Sequence, residues 1–149
     1  MRTLAAALLL ALASCAAGTY QRVKVPPQDV EVSSSSVSRI YLLRMGEAKG
    51  FYRNVRVEDG DREIGRIGND HFLCWERSPG RSLVTLEIEP VELAGKRSSE
   101  IFVDADCEAG KAYYYAITVD ASWERPSVRQ LEAAEARELM KGLSLPPKE

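Results

Sequence analysis

The chain has 149 residues, 45% of them hydrophobic and 28% charged, which suits one domain with an ordinary core and excludes collagen-like and wholly disordered classes. Lys and Arg number 20 against 22 for Asp and Glu, a net charge of -2, so no large basic surface is expected and no nucleic acid partner is assigned. The uninterrupted apolar run Leu4–Ala13 is too short to cross a hydrocarbon core of about 30 Å as a helix.

The run has the makeup of an export signal. Arg2 supplies a positive start, Leu4–Leu12 the apolar stretch, and Ala13-Ser14 the small residues that a signal peptidase accepts. The four residues Leu12-Ala13-Ser14-Cys15 resemble the lipobox of bacterial lipoproteins, in which the cysteine becomes the first residue and carries the lipid. That resemblance implies a diacylglyceryl group on Cys15. Two or more acyl chains anchor stably, at about 0.8 kcal/mol per buried CH2, where one is marginal. The membrane is thus the expected partner of Cys15, and Ala16 in place of Asp implies sorting to the outer membrane. A plain secretory signal with an incidental cysteine is the competing reading.

From Ala16 to Ser38 no periodicity is sustained, and Pro26-Pro27 with Ser33-Ser34-Ser35-Ser36 suits a solvated tether. Stretched out, it would reach about 75 Å, and as a flexible coil about 27 Å. Tyr20–Val25 could instead form a short edge strand. Residues 1–14 therefore read as signal peptide, 15–38 as lipidated cysteine and tether, 39–145 as the folded domain and 146–149 as a tail.

From Ile40 the pattern is that of strands punctuated by turns every eight to twelve residues, the spacing of an all-β sandwich. Ile40–Arg44 is a short apolar strand followed by a loop. Asp59-Gly60, a favoured type I′ pair, should fold Asn54–Glu58 onto Arg62–Ile67 as a hairpin with Arg56, Glu58 and Arg66 facing water. Phe72, Leu73 and Trp75 mark the next strand, and Ser78-Pro79-Gly80-Arg81 has the signature of a type II turn. Val84, Leu86 and Ile88 then alternate with Thr85, Glu87 and Glu89. Ile101, Val103, Ala105 and Cys107 share one face of a strand; after Glu108-Ala109-Gly110, Tyr113, Tyr115, Ile117 and Val119 share one face of another, and the two are expected to pair as a second hairpin. Ser127–Leu131 reads as extended. Ala133, Ala136, Leu139, Met140 and Leu143 form one apolar stripe, which predicts a helix over Glu132–Lys141, stopped by Gly142 and capping the sandwich. The sum is an antiparallel β-sandwich of seven or eight strands with a short C-terminal helix.

With Cys15 assigned to lipid, Cys74 and Cys107 remain as an even pair in an oxidising compartment, so a disulfide is expected. Closing their thirty-two-residue loop would contribute about 3–4 kcal/mol. The absence of a C-x-x-C spacing argues against redox chemistry. His71 is the only histidine, which excludes multi-histidine metal sites and leaves one imidazole as a possible base of a hydrolase, without any G-x-S-x-G elbow. Asp104, Asp106 and Glu108 alternate on one face, where a cation could sit, although the spacing is not that of an EF-hand. No metal, cofactor or catalytic residue is assigned. Trp75, Tyr114 and Trp123, with Lys96 and Arg97 in the loop Val91–Ser99, are the candidates for a binding surface on a sugar or a protein.

The order of these signals, above all Glu108-Ala109-Gly110-Lys111-Ala112-Tyr113-Tyr114 after Ser78-Pro79-Gly80, resembles a domain-of-unknown-function family of small bacterial lipoproteins. Its turn and strand motifs are also similar to those of transthyretin-like and PEGA-like sandwiches. The resemblance covers about Ile40–Leu143 and implies fold and location; it carries no catalytic residue with it. The expected function is that of a periplasmic, lipid-anchored, non-catalytic binding or structural module, its partner an envelope protein or peptidoglycan. An inhibitor or accessory subunit of an envelope enzyme or transport complex, inserting Met45–Arg53 or Val91–Ser99, is the alternative; a hydrolase using His71 is the rival from another class.

Overall fold

A computed structural model describes residues 35–46, 54–88, 99–119 and 126–144. Eight strands, β1 (Ser38–Arg44), β2 (Val55–Asp59), β3 (Arg62–Ile67), β4 (His71–Arg77), β5 (Gly80–Ile88), β6 (Ser99–Cys107), β7 (Ala112–Val119) and β8 (Pro126–Leu131), precede one helix, α1 (Ala133–Met140). They form two four-stranded sheets, ordered β4-β1-β7-β8 and β3-β2-β5-β6, a β-sandwich. Every neighbouring pair is antiparallel except β1 and β7, which run parallel with Ile40 opposite Tyr113 and Leu42 opposite Tyr115.

The two sheets bury themselves differently. Val55 and Val57 of β2 and Val84, Leu86 and Ile88 of β5 point inward and are buried, while Arg56, Glu58 and Glu87 lie on the other face of that sheet and ion-pair there. This is the alternation of a sheet with one wet face. In β1, by contrast, all seven residues are buried. Ile40 and Leu42 meet the facing sheet, and Tyr41 and Leu43 enter a second apolar layer with Phe72, Cys74, Tyr114 and Ala116. The lid of this layer is α1. Its predicted stripe, Ala133, Ala136, Leu139, Met140 and Leu143, packs there, and Ala136 is fully buried. Glu132 precedes the helix with an extended backbone and Lys141 caps it, so the helix is one residue shorter at each end than the predicted span.

Several connections differ from expectation. β6 and β7 do not pair: β6 pairs with β5 in one sheet, and β7 with β1 and β8 in the other. The turn at Glu108-Ala109-Gly110 carries the chain across the sandwich, because alternation fixes which side chains share a face but not which strand lies alongside. The Pro79-Gly80 turn also crosses between sheets, with Gly80 at φ 115°, positive as that turn chemistry demands. In the first hairpin Asp59 pairs with Arg62 as a strand residue. The two-residue turn is therefore Gly60-Asp61, with positive φ at Gly60 alone, the pattern of type II′ and not of type I′. β1 begins at Ser38, fully buried, one residue earlier than the boundary set for the domain.

The expected disulfide is not formed. Cys74 and Cys107 are both buried and are not joined to each other. Cys74 lies in the layer under α1 and Cys107 in the core between the sheets, so a sheet separates their faces. Cys74 does share the parity of Phe72, but the second covered face of that sheet makes "inward" ambiguous. In the chain with Cys15→Ser, a thiol-specific reagent is expected to label neither cysteine while the domain is folded and both after unfolding without reductant. Failure to find two free thiols in denaturant would show the pair oxidised.

Candidate functional site

The strand phase that buries Val55 and Val57 also turns Asp59, the last residue of β2, into the core. Trp75, inward on β4 and fully buried, donates from Nε1 to Asp59 Oδ2 at 2.8 Å, and the Ser82 hydroxyl of β5 donates to Oδ1. Arg77 completes the group, its Nε 3.6 Å from Asp59 Oδ2. Asp59 and Ser82 belong to one sheet and Trp75 and Arg77 to the other, so a single carboxylate ties both. At the same end of the core the Ser38 hydroxyl donates to the Arg77 carbonyl at 3.4 Å, and the Cys107 thiol lies beside Ser38 and Arg77. Burial is the largest influence on that thiol and holds its pKa above the ordinary value, against the pull of Arg77 and Ser38. Burial thus disfavours the thiolate at this position.

A second cluster occupies the helix side of the other sheet. Arg39 is 1% exposed and stands opposite Glu76 in the β1–β4 register. Its Nη2 donates to Glu76 Oε1 at 2.6 Å and its Nη1 to the Tyr41 hydroxyl at 3.2 Å. Tyr41 stacks on Tyr114, ring centroids 4.8 Å apart and planes 15° from parallel. Burial pushes the Tyr41 phenol up, opposed by the hydrogen bond from Arg39. At the opposite end of β1, Arg44 reaches across the core to donate from Nη1 to the Ile67 carbonyl of β3 at 3.0 Å. Charged groups at both ends of β1 thus supply donors to partners on other strands, Arg39 to β4 beside it and Arg44 to β3 in the facing sheet.

Trp75 is consequently no surface residue; its ring fills the core and its N–H is spent on Asp59. Tyr114 is also covered, being on the opposite face to Tyr113 and Tyr115 as expected but lying beneath α1. Neither belongs to a binding surface. Lys96, Arg97, Trp123, Cys15 with its tether as far as Ser34, and most of both candidate loops lie outside the described residues.

His71 is half-buried, and its Nδ1 donates to the Asn69 carbonyl, the ring's only polar contact among the described residues. Ser144 is its backbone neighbour, accepting from the Phe72 N–H at 2.9 Å, but its hydroxyl makes no hydrogen bond to the ring. Asp70, at φ 57°, packs its carboxylate so closely on Gly46 that a Cβ there would come within 2.3 Å. These residues fix the corner where the C-terminal segment meets β4; they do not assemble a triad. Two of the three residues of the acidic row, Asp104 and Glu108, are likewise engaged elsewhere. Arg81 Nε donates to Asp104 at 2.8 and 3.0 Å, Lys111 pairs with Glu108 at 2.7 Å, and no group of three metal-ligating residues occurs among the described residues.

Sequence reasoning missed Arg39, Arg44, Asp59, Glu76 and Arg77 as interior groups. A signal existed for one of them: a tryptophan on an inward phase needs an acceptor for its N–H. Comparison with family models, with curated proteins and with solved structures finds no match.

Proposed function

We propose that this chain is an envelope lipoprotein, held by a diacylglyceryl group on Cys15, whose β-sandwich acts as a non-catalytic binding or structural module. The observation that carries the reading is Leu12-Ala13-Ser14-Cys15 placed directly after an apolar run preceded by Arg2. The economy of the domain supports it. The ionisable residues brought into the interior, Arg39, Arg44, Asp59 and Arg77, are engaged in ties between strands and sheets. Such a body holds its shape while its surface does the work, as a display scaffold does. Ala16 after the cysteine supports residence at the outer membrane, facing the periplasm. Partners in this reading are another envelope protein or peptidoglycan.

Expression in a Gram-negative host with an alkyne-bearing fatty acid tests the anchor. The wild-type chain is expected to take up the label and sediment with membranes, and Cys15→Ser to lose the label and appear in the soluble periplasmic fraction. Equal, label-free behaviour of the two chains would remove the lipid from the proposal. Crosslinking of both forms in the intact envelope then separates recognition by the domain from tethering, since a true partner is captured by either form.

A further inference from the structure

The edges of the two sheets are not equally guarded against a further strand. β3 is bulged where Val57 pairs with Gly65 and Glu58 with Glu63, and it carries Arg62 and Arg66. β8 opens on Pro126 and carries Arg129. Where β3 and β4 approach, the inward residues Ile64, Ile67, Leu73 and Trp75 are all buried. β6 has none of these devices: it is nine residues long without Pro, Gly, Lys or Arg, and among the described residues it pairs only with β5. One side of its backbone thus offers donors and acceptors to a further strand. Its core-facing Ile101 and Val103 remain half-buried where β6 approaches β8. Its outward face presents Glu100, Phe102, Asp104 and Asp106, all exposed. Asp104 is held by Arg81, whereas Glu100 and Asp106 have no ion pair among the described residues. Phe102 is 57% exposed, and Leu83, diagonal to it in the β5–β6 register, is 50% exposed; these are the large hydrophobic side chains left open to solvent among the described residues.

We propose that the open side of β6 is the docking surface of the binding module inferred above, and that it receives an extended, cation-bearing segment of another protein as a fifth strand of its sheet. The pleat fixes the pattern of that segment. Running in either direction, a partner strand of seven residues sets its four outward positions beside Glu100, Phe102, Asp104 and Asp106, and its three inward positions beside Ile101, Val103 and Ala105. Lys or Arg at the two outermost positions meets the carboxylates of Glu100 and Asp106. A third cation, beside Phe102, lays its stem along the exposed ring and its charge over the ring face. Apolar side chains at the inward positions complete the cover of Ile101 and Val103. The same acidic face rejects a second copy of this chain. Two-fold pairing of β6 with itself keeps the outward residues on one face, and registers centred on Phe102, Val103 or Asp104 set Glu100 opposite Asp104, Asp106 or Glu108, respectively. Like charges directly opposite one another weaken a strand pair, so β6 selects its partner by sign of charge.

Two end-blocked peptides test this on the full chain with Cys15→Ser: Lys-Val-Lys-Val-Lys-Val-Lys, and its counterpart with Glu in place of every Lys. The lysine peptide is expected to bind at least about tenfold more tightly at low salt. Residue-resolved hydrogen exchange should show it slowing those amides of Ser99–Cys107 that are not bonded to β5, and none on β3. Glu100→Lys with Asp106→Lys, both at exposed positions, should invert the preference between the peptides. Equal affinity for the two peptides, or lysine-peptide binding that leaves the β6 amides unchanged, would overturn the proposal. So would slow exchange of those amides before any peptide is added: if independent of protein concentration it would show the edge already filled by the chain itself, and if growing with concentration it would assign the edge to a second copy. A partner captured in the envelope whose crosslinks avoid β6 would also overturn it, while leaving the domain a binding module.

Discussion

Asp59→Ala is expected to destabilise the folded chain by about 3–5 kcal/mol, the usual consequence of removing one member of a buried ion pair and leaving the other uncompensated. The Trp75 N–H and the Ser82 hydroxyl lose their acceptor together, and Arg77 keeps a guanidinium whose Nε and Nη1 are already buried without a hydrogen bond. Urea unfolding should show a lower midpoint at unchanged slope. Trp75→Phe removes only the N–H and part of the ring, so its effect should be smaller. In the double variant the two losses should not add, because they share one carboxylate. Additive losses, or an Asp59→Ala chain as stable as wild type, would mean that the carboxylate does not tie the sheets.

Ala136→Glu should be comparably severe, at about 3 kcal/mol or more. The methyl of Ala136 is fully buried against the outer face of the β4-β1-β7-β8 sheet. A carboxylate there either stays buried without a partner or forces α1 away, exposing Leu43, Phe72 and Tyr114, each worth about 1.5–3 kcal/mol when fully transferred to water. Loss of near-ultraviolet signal from the stacked Tyr41 and Tyr114, with binding of a hydrophobic dye, would report the second route. Ala134→Glu, one helical position away from the stripe and exposed, should change stability by less than about 0.5 kcal/mol. Equal effects at the two positions would remove the packing role given to α1.

What the sequence made legible follows from the range of the interactions involved. The helix was readable because Ala133, Ala136, Leu139, Met140 and Leu143 carry its phase within eleven residues, and the strand phases of β2, β5, β6 and β7 were equally local. Pairing partners were not. The parallel union of β1 with β7 joins segments about seventy residues apart, and no turn residue announces it. The buried charges were hidden for a related reason. Arg39 borders an apolar run and reads as a solvated flank until register sets Glu76 opposite it, and Asp59 reads as a turn residue until the turn moves on by one. The disulfide expectation failed where a sheet has two covered faces, because parity then gives sidedness without saying which side is the core.

The place of β1 has a mechanical meaning. The chain enters the sheet at Ser38, at the start of a strand that is hydrogen-bonded along both flanks, to β4 on one side and β7 on the other. Any pull between the segment that precedes Ser38 and something gripping the domain would therefore be delivered to the middle of a sheet. When that pull lies along the strand, it loads both ladders in shear, so many hydrogen bonds share the force, whereas a tether attached to an edge strand could be peeled one bond at a time. The point of attachment is thus the place in this sheet where the domain can best bear tension.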